Sequence, residues 1–238
     1  MNHLTAMKAS NVVRIKGKIS NVYLINEKRI CIVDCGSPND FKLIEHTVEK
    51  VLGRSMYDVD YILPTHSHVE HLGNAPKLKR KTGALVVLPD KGINPAKGSF
   101  DSIGFLKDMP AAIIAGLKNN PALLLYPHLN FVKATADVVS SDGMRMPGHE
   151  GWNVLHTPGH SPESVCLYHS ETDSLISGDT IITIDGKAAL PFGIWNRTKM
   201  KNTIERLKKL RPKRLFPGHG DPLEGDGLLD QLTVESKI

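Results

Sequence analysis

Asp58-Val59-Asp60-Tyr61-Ile62-Leu63-Pro64-Thr65-His66-Ser67-His68-Val69-Glu70-His71 is the stretch on which the fold turns. Its first half, residues 58–63, is apolar and β-branched enough for a buried strand. Its second half places His66, His68 and His71 beside the carboxylate of Glu70. Imidazole nitrogens and carboxylate oxygens are the donors that a borderline cation such as Zn²⁺ selects. In extended backbone, residues two apart face the same way, so His66 and His68 can approach one cation while a helical turn points Glu70 and His71 elsewhere. One strand end could therefore offer donors to two metal ions.

Upstream, short β-branched runs at residues 11–15, 22–26 and 30–34 are separated by Gly17-Lys18 and Glu27-Lys28-Arg29, the pattern of antiparallel hairpins. Residues 41–52 carry Phe41, Ile44 and Val48 at helical spacing, with Gly53 as a stop. Downstream, residues 70–82 are expected to form a helix ending at Gly83, and residues 84–88 another strand. The alternation then breaks down between Pro89 and Thr135. Apolar residues from Ile103 to Leu117, with breaks at Pro110 and Pro121, predict a mainly helical insertion over about residues 90–135. That insertion has three readings: a lid or pocket over the site, the contact surface of a homodimer, or added core. Strands resume at residues 137–139, 152–157, 164–168 and 174–177, followed by a helix over 199–210 and a last strand at 214–216. Two runs of strands with helices after each predict an α/β protein of two packed sheets with helices outside.

Three more ligand-type residues stand where a predicted strand ends and glycine adjoins: His160 in Thr157-Pro-Gly-His-Ser161, Asp179 in Ser177-Gly-Asp-Thr180 and His219 in Pro217-Gly-His-Gly-Asp221. Tight loops at a sheet edge let the backbone come close to a metal. Each signal is weak alone, and in order behind the first cluster they are strong.

The 238 residues suit one domain with a sizeable core. Hydrophobic residues at 40% and charged residues at 23% exclude fibrous, disordered and membrane-spanning classes. No apolar run approaches a bilayer span, and the N-terminus lacks a secretory pattern, so a cytoplasmic protein that does not engage membranes is expected. Three cysteines, Cys31, Cys35 and Cys166, are too few for a disulfide framework and fit a reducing compartment. The net charge of +5 is spread out except at residues 77–81 and 199–214, which look like solvated helix faces. Nucleic acid is accordingly not the expected partner, and a small-molecule substrate is.

From the Asp34-Cys35-Gly36 turn through the histidine cluster to Pro217-Gly218-His219-Gly220, the chain resembles the metallo-β-lactamase superfamily, and within it the small hydrolases of the glyoxalase II type. That resemblance implies an αββα sandwich of two mixed sheets with the metals along one edge. It implies that His66, His68 and His160 hold a first metal, that Glu70, His71 and His219 hold a second, and that Asp179 bridges them. Asp34 would fix the ligand loop, as partners of metal-bound histidines usually do. One departure is Glu70, where the family normally has aspartate; the longer arm moves the carboxylate outward and puts full occupancy of the second position in question.

The expected chemistry follows from the ligands. Two divalent ions, zinc first and iron or manganese as alternatives, can share a water, lower its pKa to near 7 and present hydroxide to a carbonyl. Asp179 is the expected catalytic side chain, orienting that nucleophile or taking its proton. The expected reaction is hydrolysis of a small ester, thioester or lactone. Alternatives are a mononuclear iron oxidoreductase resembling persulfide dioxygenases, and β-lactamase or phosphodiesterase activity. The short stretch after His219 leaves no room for the helical domain with which glyoxalase II holds glutathione. Tyr126, His128, residues 191–195 and Arg197 are candidate substrate contacts.

Overall fold

A computed structural model describes residues 4–6, 11–91, 99–101 and 133–235. The first sheet begins with the antiparallel strands β1 (Leu4–Ala6), β2 (Val12–Lys16), β3 (Asn21–Asn26) and β4 (Ile30–Val33). The helical segment α1 (Phe41–His46), which widens into a π turn over Thr47–Val51, leads on to β5 (Val59–Leu63), parallel to β4. Two short helices, α2 (Val69–Leu72) and α3 (Ala75–Thr82), precede β6 (Leu85–Pro89), parallel to β5. A ribbon of β7 (Ser99–Asp101) and β8 (Lys133–Thr135) comes before β9 (Val138–Ser140), which closes that sheet beside β6.

The second sheet runs in the order β10 (Arg145–Met146), β11 (His149–His156), β12 (Val165–His169), β13 (Ser174–Gly178), then β16 (Arg214–Pro217) and β17 (Leu223–Glu224). The hairpin of β14 (Ile182–Ile184) and β15 (Lys187–Ala189) and the helix α4 (Arg197–Lys209) lie in sequence between β13 and β16. Asn196 caps α4 by accepting from the Lys199 N–H at 2.9 Å, and Gly83, at φ 76°, ends α3 in the left-handed region that glycine enters without penalty.

Strand alternation sorts the apolar residues into three cores. Val22, Leu24, Ile30 and Ile32 face outward to Phe41, Ile44, Leu72 and Leu78 of the first helical layer. Their neighbours Tyr23, Ile25, Cys31 and Val33 face inward, against Trp152, Val154, Leu167 and Phe216 of the second sheet. Leu155, Cys166, Leu175 and Leu215 face the other way, onto Met200, Ile204 and Leu207 of α4. Period-two burial on both faces of both sheets is what a helix-sheet-sheet-helix stack requires. Trp152 and Phe216 anchor the inter-sheet layer, where truncation of so large a side chain costs about 3–5 kcal/mol.

Most expected elements are present, with two differences among the described residues. The helix expected over 70–82 is two helices, because at Gly73 the chain lies against the Val69 and Gly36 carbonyls and Asn74 turns inward, donating its amide to the Cys35 and Ser37 carbonyls. The small strands β1, β7, β8, β10, β14, β15 and β17 were not expected; each has two or three residues, too short for periodicity to register, and β7 and β8 put paired strand where the described ends of the expected helical insertion lie. The predicted helical insertion, with Tyr126 and His128, lies mainly outside the described residues. No helix among the described residues is long and apolar enough to cross a membrane.

Candidate metal centre

In each sheet the strands that matter run the same way, so their carboxyl ends share one edge. β4 delivers Asp34, β5 delivers His66 and His68, β11 delivers His160, β13 delivers Asp179 and β16 delivers His219. The single turn α2 adds Glu70 and His71. All seven expected ligand residues meet there. They fall into two groups whose nitrogen and oxygen atoms lie within 4.8 Å of one another: His66, His68, His160 and Asp179, and Glu70, His71, His219 and Asp179. Asp179 belongs to both.

What each ring's outer nitrogen touches decides what its inner nitrogen faces. His66 Nδ1 pairs with Thr65 Oγ1 at 3.0 Å, and His71 Nδ1 donates to Asp34 Oδ2 at 2.8 Å. His160 Nδ1 donates to the Gly193 carbonyl at 2.7 Å, and His219 Nδ1 to the Ile19 carbonyl at 3.1 Å. In all four the Nε2 turns towards Asp179, at 3.9 Å for His66, 3.3 Å for His71, 3.7 Å for His160 and 3.2 Å for His219. His68 presents the other nitrogen, with its Nδ1 3.2 Å from His160 Nε2. Hydrogen-bonding one ring nitrogen fixes which lone pair is offered by the other.

Buried polar atoms almost always find partners, so the exceptions are informative. His66 Nε2, His71 Nε2 and Asp179 Oδ1 are buried without a well-formed hydrogen bond, and all three point into this cluster. Six nitrogen and oxygen donors gathered about one carboxylate, with the inward atoms of His66, His71 and Asp179 unsatisfied, fit the coordination of divalent cations.

Charge divides the cluster. Burial drives the His66 ring well below the ordinary histidine range and pushes His68 down to about 4, so both are neutral donors at pH 7. Burial also opposes charge on His71 and His219, but Asp179, joined at His71 by Asp34, outweighs it and raises both. Asp179 in turn is held well below the carboxylate range: burial works against its charge, and His71 and His219 overcome it.

Two backbone features make the approach feasible. Asp34 sits at φ 60°, fully buried, so that one carboxylate accepts from the Thr65 N–H at 2.7 Å and from His71. A side chain at Gly218 would collide with Asp179 Oδ1 and the His71 ring, so that position has room for hydrogen alone.

Several supporting residues gave no signal as isolated letters. Glu163, buried, accepts from the Ser67 hydroxyl at 2.6 Å and the Ser67 N–H at 3.2 Å, tying the loop of His160 to that of His66 and His68. Arg14, Ser20 and Asn21 brace the opposite side. Of the candidate substrate contacts, Phe192 is 90% exposed beside the Gly193 carbonyl that holds His160, Trp195 lies under the Lys199 ammonium, and Arg197 reaches the Glu235 carbonyl at 3.4 Å. Cys35 is buried and burial raises its thiol well above the ordinary range, which leaves it a packing residue.

The model of the metallo-beta-lactamase superfamily matches residues 15–219, and the chain belongs to that family. Among curated proteins, a probable metallo-hydrolase of Methanocaldococcus jannaschii is 25% identical over 210 residues, covering 86% of this chain and 89% of that protein. A hydroxyacylglutathione hydrolase of Pelagibacter ubique is 25% identical over 201 residues, covering 83% of this chain and 65% of that protein. Among solved structures, TTHA1623 in a di-iron-bound form is 26% identical, with a TM-score of 0.59 over 88% of this chain and 92% of that one. Family membership supports a metal-dependent hydrolase.

Proposed function

We propose that the protein hydrolyses a small ester, thioester or lactone using two divalent cations, zinc in the first instance. The observation that carries this reading is the single carboxylate of Asp179 shared by two complete donor groups, with unsatisfied atoms of His66, His71 and Asp179 turned into the space between. His66, His68 and His160 would hold one cation, Glu70, His71 and His219 the other, with Asp179 between them. Cations held by these residues would supply an acidified water and polarisation of the scissile carbonyl. The protein's own share is orientation and proton handling. Asp179 Oδ2, within 3.9 Å of the His66, His160 and His219 rings, would orient the attacking water and take its proton, a reading its central place in the cluster supports. Asp34 keeps the His71 ring turned inward, and the Gly193 carbonyl does the same for His160.

The three cysteines are free and buried, which is consistent with work in a reducing cytoplasm. The test is metal content measured beside turnover on ester, thioester, lactone, β-lactam and phosphodiester substrates. Two zinc ions per chain with fastest turnover on an ester-type bond is the expected result. One iron per chain with oxygen uptake on a persulfide overturns the reading in favour of an oxidoreductase, and two zinc ions with preference for a β-lactam or phosphodiester overturn its substrate class.

A further inference from the structure

The turn joining β2 and β3 belongs to the opposite sheet from His219, yet it touches both loops that bring Glu70 and His219 to the centre. The Ile19 carbonyl accepts from His219 Nδ1 at 3.1 Å. The Ser20 hydroxyl donates to the Glu70 carbonyl at 2.5 Å. The Asn21 N–H donates to the Gly218 carbonyl at 2.8 Å, and its side-chain amide donates to the carbonyls of Pro217 and Gly220, both at 2.8 Å. Three consecutive residues thus hold the His219 ring, the main chain on either side of it and the main chain of Glu70.

The orientation of that amide is itself enforced. Arg14 Nε donates to Asn21 Oδ1 at 2.9 Å, which leaves Nδ2 to face the two carbonyls. Arg14 also donates to the Gly220 carbonyl at 2.9 Å and pairs with Asp221 at 2.8 Å. Arg14, Ser20 and Asn21 are all buried, so these bonds are not exchanged cheaply for water. Beneath them the turn is closed by the Gly17 N–H to the Ser20 carbonyl at 3.1 Å and by the Lys18 N–H to Asp40 at 3.1 Å. The His66, His68 and His160 loops have other supports, in Thr65, Glu163 and Gly193.

We propose that Ser20 and Asn21 are positioning residues for the second cation, setting its occupancy through the Glu70 and His219 loops without touching it, while the first position is set elsewhere. The inference rests on the two-cation reading above. It bears on Glu70 in particular: with the carboxylate on a longer arm, the place of its main chain decides where the oxygens arrive, and Ser20 holds that main chain. Outer partners of metal ligands commonly alter affinity by about 10–100-fold.

Asn21→Asp keeps shape and the Arg14 contact but turns an oxygen towards two carbonyl oxygens. Zinc titration of the metal-free protein against a chromophoric chelator is expected to show two steps in the wild type. Asn21→Asp weakens one of them at least about tenfold and leaves the other unchanged. Ser20→Ala does the same to a smaller degree, and serves if Asn21→Asp fails to fold, as judged by thermal melting without metal. Added to His219→Ala, Asn21→Asp produces no further loss, because both act on one position. The proposal is overturned if both steps stay at wild-type affinity, if both weaken equally, or if the effects add in the His219→Ala background. A wild type that takes up a single zinc overturns the two-cation reading itself, a separate result.

Discussion

Two buried histidines of this protein lie between pairs of carboxylates, and only one of them has both ring nitrogens satisfied. His149 donates from Nδ1 to Glu27 at 2.9 Å and from Nε2 to Asp60 at 3.2 Å, so both nitrogens are satisfied. His71 donates from Nδ1 to Asp34 at 2.8 Å, but its Nε2, 3.3 Å from Asp179, is left without a well-aligned bond. The carboxylates also differ. Glu27 and Asp60 are 24% and 22% exposed, whereas Asp34 is fully buried. In both places carboxylates overcome the cost of burial and raise the ring's pKa. The shared shift therefore does not distinguish a ligand from a clamp; the unsatisfied inward nitrogen does. His149 is a cross-sheet tie, joining β11 to β5 and to the β3–β4 turn, whereas His71 turns an unsatisfied nitrogen into the cluster, as the proposed metal site requires.

The largest expected effect breaks the comparison at its metal end. Asp179→Ala removes the carboxylate that faces His71 and that both groups share, and turnover is expected to fall by about 10²–10⁴, the range of a lost acid-base group. Steady-state kinetics with metal analysis check it, and a variant retaining both metal content and turnover would remove Asp179 from the mechanism.

A smaller effect sharpens the same end. Glu70→Asp shortens the arm by one methylene beside His71, preserving the fold while altering affinity at the second position or the rate that depends on it. Zinc titration and kinetics identical to wild type would show that Glu70 is not a ligand.

The smallest effect belongs to the clamp. His149 has a raised folded pKa, so its contribution to stability is fully present below the unfolded value near 6.5 and is lost as pH rises through the folded value. Denaturant melts from pH 6 upward are expected to show that loss in the wild type and a flatter profile in His149→Gln. Equal pH slopes in the two proteins would mean that the Glu27 and Asp60 contacts do not favour the charged ring.

The candidate donors themselves were readable without coordinates, because each is a metal-binding type placed just after a β-branched run, with glycine adjoining all but the first: His66 after residues 58–63, His160 after 152–157, Asp179 after 174–177 and His219 after 214–216. Their division into two groups came from the family resemblance, and the structure gathers the same sets. The break between α2 and α3 was not readable, since it depends on carbonyls of Cys35 and Ser37 that reach Asn74 only when the chain folds back.

Sequence alone therefore determined the order of the longer strands and helices and which seven residues are candidate metal donors, because these follow from local periodicity and from residue chemistry. Tertiary structure alone decided which nitrogen each histidine turns inward, which of two carboxylate-flanked imidazoles is left unsatisfied, and that Ser20 and Asn21 of one sheet hold the main chain beside Glu70 and His219. Those outcomes depend on hydrogen bonds between residues as far apart in the chain as Ile19 and His219, and no local pattern carries that information.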